Sequence, residues 1–374
     1  MNSTAPPLRF SFSSLPDEII TNCLARVSKS QYSSLSTVSK KFHSLLSSPE
    51  IHAARSEIGA TEPRLYLCCE SLRTTTRCYS WYNLRNLRNC DEIKLKSNLR
   101  LVPVGLTGRL QQARLAVGYE IYQFGGITNK KSKRVRSVCV LDCRSQTQRR
   151  APKMRVARKS ARACVLDGSI YVMGGCRERE RWGEVFDLKT QTWKKEILPI
   201  PSVGDDEFKF DREFEVLVLR SRIYVITVGN KYAYDRKEGR WLLLDTRFAG
   251  LESILKLGTV WCVLDNLVFK EFSDDLYWYD LSCGEWLMVE GLADLLWDAK
   301  VKCSFRMIQL VNYGGKLVII YMSRVVRKET TWFAVIRLEK RLTSSRLAIW
   351  GEIEQLDNLV RWSFNPLTCL SVSL

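Results

Sequence analysis

Between Lys130 and Arg162 the sequence carries thirteen basic residues (Lys130, Lys131, Lys133, Arg134, Arg136, Arg144, Arg149, Arg150, Lys153, Arg155, Arg158, Lys159 and Arg162) and a single acid, Asp142. The chemistry such a run offers is anion binding: guanidinium and ammonium groups hold the carboxylates of an acidic protein or the oxygens of a phosphate. The same charge attracts a nucleic-acid backbone. Little aromatic residue is interleaved to stack on bases, however, which weakens that reading. Lys130–Arg136 (KKSKRVR) also fits a nuclear-import patch. The plainer alternative is a solvated basic surface. Arg177, Arg179 and Arg181 extend the basic set into 176–183, whereas Asp205, Asp206, Glu207 and Asp211 make the next connection acidic. The chain of 374 residues has a formal charge of +18.

Bond-making chemistry finds no matching set of residues. His43 and His52 are the only histidines, both in or beside an N-terminal helical stretch, so the β-rich remainder has no imidazole for a copper or iron site. There is no Ser/His/Asp combination, no G-x-x-x-x-G-K-S/T loop and no zinc spacing. The thirteen cysteines are odd in number, irregularly spaced and free of any C-x-x-C. They read as reduced core thiols of a cytosolic or nuclear protein, not as a disulfide framework. Packing accounts for Cys139 and Cys143 and for the pair Cys68-Cys69. No cofactor and no metal is expected. No run approaches the ~18 apolar residues of a membrane span, and MNSTAPPLRFSFSS lacks the apolar core of a secretory signal.

The elements that position the basic run are strands. Ala163–Leu166 and Ile170–Met173 are joined by the turn Asp167-Gly168, a β-hairpin pattern, and Gly174-Gly175 ends the second strand. Gly183–Leu188 and Thr192–Leu198 make two more. The unit recurs: Asp187 precedes Trp193 by six residues, as Asp235 precedes Trp241 and Asp280 precedes Trp286. Asp142 fits the same frame, with Gln148 where the tryptophan is due. Hairpins recur at 117–126, 219–228, 264–269 and 313–321. Four-stranded units every 40–50 residues or so predict a β-propeller. The glycine pair and the tryptophan resemble the kelch repeat. Six blades are expected, centred on Trp81, Gln148, Trp193, Trp241, Trp286 and Trp350, with a stretched segment around 327–349. Closure is expected from Arg64–Cys69 and Cys78–Leu84 joined to Leu359–Phe364 and Leu367–Ser373, which removes open edges. Tight turns fall on one face of such a ring. The longer, charged loops at 127–137, 149–160, 176–183, 199–212, 270–275 and 322–331 fall on the other, where recognition usually lies. The target-binding candidates are therefore Lys130, Lys131, Lys133, Arg134, Arg136, Arg158, Lys159, Arg177, Arg179 and Arg181.

Residues 1–63 are of a different kind. Ser14 reads as a helix cap before Leu15-Pro16-Asp17-Glu18, with proline and acids in the first turn. Ile19, Ile20, Cys23, Leu24 and Val27 follow at helical spacing. Shorter helices are expected near Tyr32–Val38 and Lys40–Leu46. LPDEIITNCLARVSKSQYSSLSTVSKKFHSLLSSPE resembles an F-box without gaps, placing Leu15, Pro16, Ile19, Cys23, Leu24, Val27, Leu35, Val38, Ser39, Lys40 and Phe42 on motif positions. Ser28 replaces the usual second proline, Ser33 a usual leucine and Phe42 the usual tryptophan. With the repeats, nearly the whole chain resembles the plant F-box/kelch-repeat family. The expected organisation is a disordered start (1–9), an F-box (10–50), a linker (51–63) and an all-β kelch propeller (64–374), an α+β multidomain chain.

The resemblance implies that Leu15, Pro16, Ile19, Cys23, Leu24, Val27, Leu35, Val38 and Phe42 form the contact set for a Skp-type adaptor, by helix-in-groove burial. It implies a non-catalytic substrate-recognition subunit of a cullin–RING ubiquitin ligase, cytoplasmic and/or nuclear, whose propeller rim binds the protein to be ubiquitylated. Alternatives are a helical cap without a partner, a non-catalytic scaffold, and a binder of acidic partners or nucleic acid through 130–162.

Overall fold

The computed structural model describes residues 12–71, 78–86, 99–128, 133–177, 179–201, 213–244, 246–255, 259–273, 275–292, 304–325, 328–343, 347–360 and 364–374. The chain divides into a helical unit reaching to Pro63 and a β unit running from Arg64 to Val372. Among the described residues no helix is long and apolar enough to cross a membrane.

Among the described residues the helical unit has four α-helices: α1 (Asp17–Ala25), α2 (Tyr32–Ser36), α3 (Lys40–Ser47) and α4 (Pro49–Glu57). Ser14 is not the cap of α1. It lies in a 3-10 turn, Phe12–Ser14, and Pro16 occupies the cap position without a side-chain bond. Asp17 and Glu18 complement the positive end of the helix instead. The helix α3 does have a serine cap, Ser39, whose Oγ accepts from the Phe42 N–H at 3.1 Å. The fourth helix covers most of the stretch expected as a linker, because the core needs it: Ile51 joins Ile20, Leu24, Ala25 and Leu46 there.

Among the described residues the β unit has six sheets of four strands each. Blade two is β4–β7 (Ala113–Val117, Glu120–Phe124, Val138–Asp142, Thr147–Ala151) and blade three β8–β11 (Arg162–Leu166, Ser169–Met173, Gly183–Asp187, Thr192–Leu198). Blade four is β12–β15 (Phe214–Leu219, Arg222–Thr227, Lys231–Asp235, Arg240–Leu243) and blade five β16–β19 (Trp261–Leu264, Leu267–Phe272, Asp275–Asp280, Glu285–Met288). Blade six is β20–β23 (Ser304–Tyr313, Lys316–Val325, Lys328–Leu342, Leu347–Val360). First strands of successive blades approach one another from β4 through β20, the order of a six-bladed propeller.

Blade one closes the ring from both ends, in the proportion one to three. It pairs β24 (Phe364–Ser373) with β1 (Pro63–Ser71), β2 (Cys78–Asn86) and β3 (Leu99–Gly108). The expected strand at Leu359 instead belongs to blade six: β22 and β23 are 15 and 14 residues long, and their ladder still pairs Thr330 with Val360. The strand missing from the sequence reading is β3, whose Pro103 and Gly105 argue against a strand. As the last strand of its sheet it tolerates a proline. Trp81 consequently sits on a third strand. It is fully buried, and its indole Nε1 donates to Gln123 Oε1 of blade two at 3.0 Å.

The Asp-to-Trp frame is one turn and one bridge. The Oδ1 of Asp187 accepts from the N–H groups of Lys189 and Thr190 at 3.0 and 2.9 Å, and that of Asp235 from Lys237 and Glu238 at 2.9 and 3.3 Å. Six residues on, each tryptophan lies opposite an aromatic residue of the third strand: Phe186↔Trp193, Tyr234↔Trp241 and Tyr279↔Trp286. Each indole Nε1 then donates at 2.8 Å to a carbonyl of the connection that leads into its blade, namely Pro152, Pro199 and Gly250. In blade two the facing pair is Leu141↔Gln148.

The turn aspartates give stability a pH dependence. The Thr190 N–H holds the Asp187 carboxyl below its ordinary value, and the Glu238 N–H does the same for Asp235. A depressed carboxylate contributes fully above the ordinary value of 3.8 and loses its contribution as pH falls through the lower folded value. Between about pH 5 and pH 3 the thermal midpoint is expected to fall less in Asp187→Asn/Asp235→Asn than in the parent. Equal slopes in a differential scanning series would remove these carboxylates from the account.

The glycine pairs serve a close approach to a neighbouring segment. Gly126 N–H donates to Arg158 O, and Lys159 N–H donates to Gly175 O, both at 2.9 Å. The connection into blade three thus passes between Gly125-Gly126 and Gly174-Gly175. A Cβ on Gly175, at φ 71°, would lie 2.2 Å from Lys159 O. Gly175→Ala is expected to cost about 2–4 kcal/mol in urea unfolding, combining left-handed strain with a backbone clash.

Candidate functional site

Two surfaces gather the residues singled out from the sequence, one on each unit. On the helical unit, α1 presents two stripes one step apart. Ile20 and Leu24 are 0% and 3% exposed and form the core with Leu46 and Ile51. Ile19 and Cys23, four residues apart on α1, face solvent, with Ile19 at 48% exposure, and so does Leu15 just ahead of the helix. Pro16 and Val38 are also exposed, and Val38 reaches 66%. Leu24 thus leaves the adaptor-contact set for the core. Leu35 and Phe42 are half-buried against that core, and Val27 is half-buried. Phe12, outside the expected set, is exposed and packs edge-on to Phe42 with centroids 5.8 Å apart. Spacing could not separate these roles, because burial depends on which face the other helices cover.

Arg55 holds this surface in shape. Its side chain is buried, and Nη1 donates to Ala25 O (3.0 Å), Val27 O (2.6 Å) and the Tyr32 hydroxyl (3.1 Å). Nη2 donates to Ala60 O (2.5 Å) and Glu62 Oε1 (3.0 Å). The guanidinium therefore satisfies carbonyls at the C-terminal end of α1, whose cation preference it also meets. An arginine on a short, mostly polar helix gave no sequence signal of this role.

On the propeller, the basic run is sorted by its partners, one within the run and others from elsewhere in the chain. Arg144 pairs with Asp142 at 3.0 Å, Arg149 with Glu120 at 2.8 Å and Arg162 with Glu215 at 2.6 Å. Burial pushes the Glu215 carboxyl up, against the pull of Arg162. Arg155 donates to the carbonyls of Lys194 and Lys195. Arg158, placed on the target-binding rim by sequence, has no exposed surface. It pairs with Glu184 at 2.9 Å and donates to the carbonyls of Gly174, Arg181 and Trp182 at 2.7–2.8 Å. Glu184 Oε2 also accepts from Arg155 N–H at 2.7 Å. Arg158 is therefore a structural tie, and Glu184, 26 residues away, is the acid that a local reading of the run could not supply.

Several rim candidates do converge. An isolated bridge joins Ile127 to Arg134 and another joins Val135 to Arg158, so the loops around 127–137 and 152–161 lie side by side. Arg134 is half-buried and its Nε donates to Gly175 O at 3.1 Å, which adds the 176–183 loop to the group. Arg136 is exposed and donates to Met154 O, Lys133 and Arg177 are exposed, and Lys159 is half-buried. Arg179 and Arg181 lie in a 3-10 turn, with Arg181 exposed. Lys130 and Lys131 lie outside the described residues, as do the acidic positions Asp205, Asp206, Glu207 and Asp211. Val228, just after the second strand of blade four, and Phe272, the last residue of the second strand of blade five, are 60% and 52% exposed and add apolar surface that a reading by charge does not register. Burial pushes the Cys68 thiol up to about 11 and those of Cys69 and Cys143 up to about 12, which disfavours the thiolate form at neutral pH.

Residues 12–53 match the F-box domain family, and residues 81–360 match the family described as FKB95, Kelch-repeats domain. Three F-box/kelch-repeat proteins of Arabidopsis thaliana are similar over nearly their whole length. One is 42% identical, covering 98% of this chain and 95% of that protein. The others are 37% and 36% identical, covering 96% and 95% of this chain and 90% and 91% of theirs.

Proposed function

The chain belongs to the F-box/kelch-repeat family, and from that premise we propose that it is the substrate-recognition subunit of an SCF-type ubiquitin ligase. The observation that carries this reading is the set of apolar side chains that the helical unit leaves in solvent, Leu15, Pro16, Ile19, Cys23 and Val38. A small helical unit that leaves such side chains in water gains by covering them, and the groove of a Skp-type adaptor is the cover. The propeller supplies a rigid ring whose basic and apolar loops hold the protein to be ubiquitylated. Transfer is then accelerated by the effective concentration of a target lysine near the charged ubiquitin carrier, without a bond-making residue of this chain. Co-expression with a Skp-type adaptor is expected to yield a complex that stays together through size-exclusion chromatography. A chain that elutes alone, folded and monomeric, overturns the reading.

A further inference from the structure

Blade two keeps the turn aspartate of the frame, Asp142, but not its tryptophan, and a space lies where the indole would be. In blades three, four and five the fourth-strand indole fills the interval between its own sheet and the connection that enters the blade. In blade two Gln148 holds that position, opposite Leu141. A cleft of about 720 Å³ lies there, lined by Gln148 and by residues of the entering connection, Arg109 and Gln112. That volume falls within the ~300–1,000 Å³ of ordinary ligand sites.

The lining has one sign of charge. Arg109, Arg150 and Lys153 border the cleft, and among the described residues no aspartate or glutamate does. All three are exposed, and among the described residues none of their side chains has an ion-pair partner. This sets them apart from Arg144 and Arg149 on the same blade, which are neutralised by Asp142 and Glu120. Gln112, Gln148 and Ser137 place amide and hydroxyl groups in the same wall. Unpaired cations around a polar concavity are a receptor for anionic side chains.

We propose that the cleft left open by Gln148 takes a short acidic peptide segment, with its carboxylate or phosphate groups set against Arg109, Arg150 and Lys153. This deepens the reading of the propeller as the target-binding part, and rests on it, by naming where a target is held and by what chemistry.

The test measures fluorescence anisotropy of the full chain, without adaptor, with three labelled dodecapeptides: alternating Asp and Ser, the same with phosphoserine, and alternating Asn and Ser. The Asp or phosphoserine peptide is expected to bind, more weakly as salt rises, and the neutral peptide is not. Binding by the phosphoserine peptide alone assigns the site to phosphate; binding by both assigns it to anions of either source. Gln148→Trp refills the slot and is expected to weaken binding at least about tenfold without lowering the thermal midpoint. Arg150→Glu/Lys153→Glu, on exposed positions, is expected to do the same and answers the question if the tryptophan variant misfolds. Binding that neither variant alters, equal binding of the neutral peptide, or no binding of either anionic peptide overturns the proposal. So does a single-stranded DNA that outcompetes both peptides at the same site. Because no adaptor is present, failure here leaves the adaptor complex intact, and failure of that complex leaves this measurement standing.

Discussion

Leu15→Ala with Ile19→Ala is expected to weaken adaptor binding about a thousandfold while the chain remains folded. Each side chain buried at the centre of a helix-in-groove contact contributes about 2 kcal/mol, and each 1.4 kcal/mol or so is tenfold in the dissociation constant. Folding should be spared because both residues face water, with Leu15 at 36% and Ile19 at 48% exposure. Leu24→Ala is the contrasting variant. Leu24 is 3% exposed and packs in the helical core. Its truncation should cost about 2–5 kcal/mol of stability, and binding should fall only as the helical unit unfolds. Isothermal titration calorimetry alongside circular dichroism separates the two cases. If Leu15→Ala/Ile19→Ala binds like the parent, the adaptor uses another surface.

Breaking the Arg158–Glu184 pair should have the largest effect on the propeller. Glu184→Ala is expected to lower the stability of the β unit by about 3–5 kcal/mol, since it leaves a guanidinium buried without its counter-charge. The pair has side-chain exposures of 0% and 5%. Arg158 also ties three carbonyls together, and Glu184 accepts from Arg155 and Val156 N–H groups. Arg158→Met/Glu184→Met removes both charges at once and should recover part of the loss, although the carbonyls of Gly174, Arg181 and Trp182 each lose the guanidinium as a donor. Unfolding free energies from urea titrations of Arg158→Met, Glu184→Met and the Met/Met double variant give the coupling energy. A loss below about 1 kcal/mol in Glu184→Ala would falsify the structural role assigned to the pair.

The sequence reached far where its signals are local. Asp187 and Trp193 sit on one short hairpin, so their spacing encodes a turn and the register across it, and repetition of that spacing identifies the blade. Leu15-Pro16-Asp17-Glu18 encodes a helix start in the same way, and Ile19 through Val27 its apolar character. These patterns were enough for the six-bladed kelch architecture and the F-box. The signals failed where a residue's neighbours come from a distant stretch. The strand β3 was hidden by Pro103 and Gly105, which only its outer position in blade one permits.

Three matters were decided by tertiary structure alone. Ile19 and Ile20 are adjacent and chemically alike, yet one faces solvent and the other the core, because α3 and α4 cover a single side of α1. Arg158 looked like one cation among thirteen until folding set Glu184 against it. Gln148 reads as a degenerate repeat position, but its cleft exists only because a connection from blade one passes beside it. Spacing along a chain fixes which side chains share a face of a helix or strand. Whether that face meets water, a counter-charge or a void is set by the element that packs against it, and that element is encoded elsewhere in the chain.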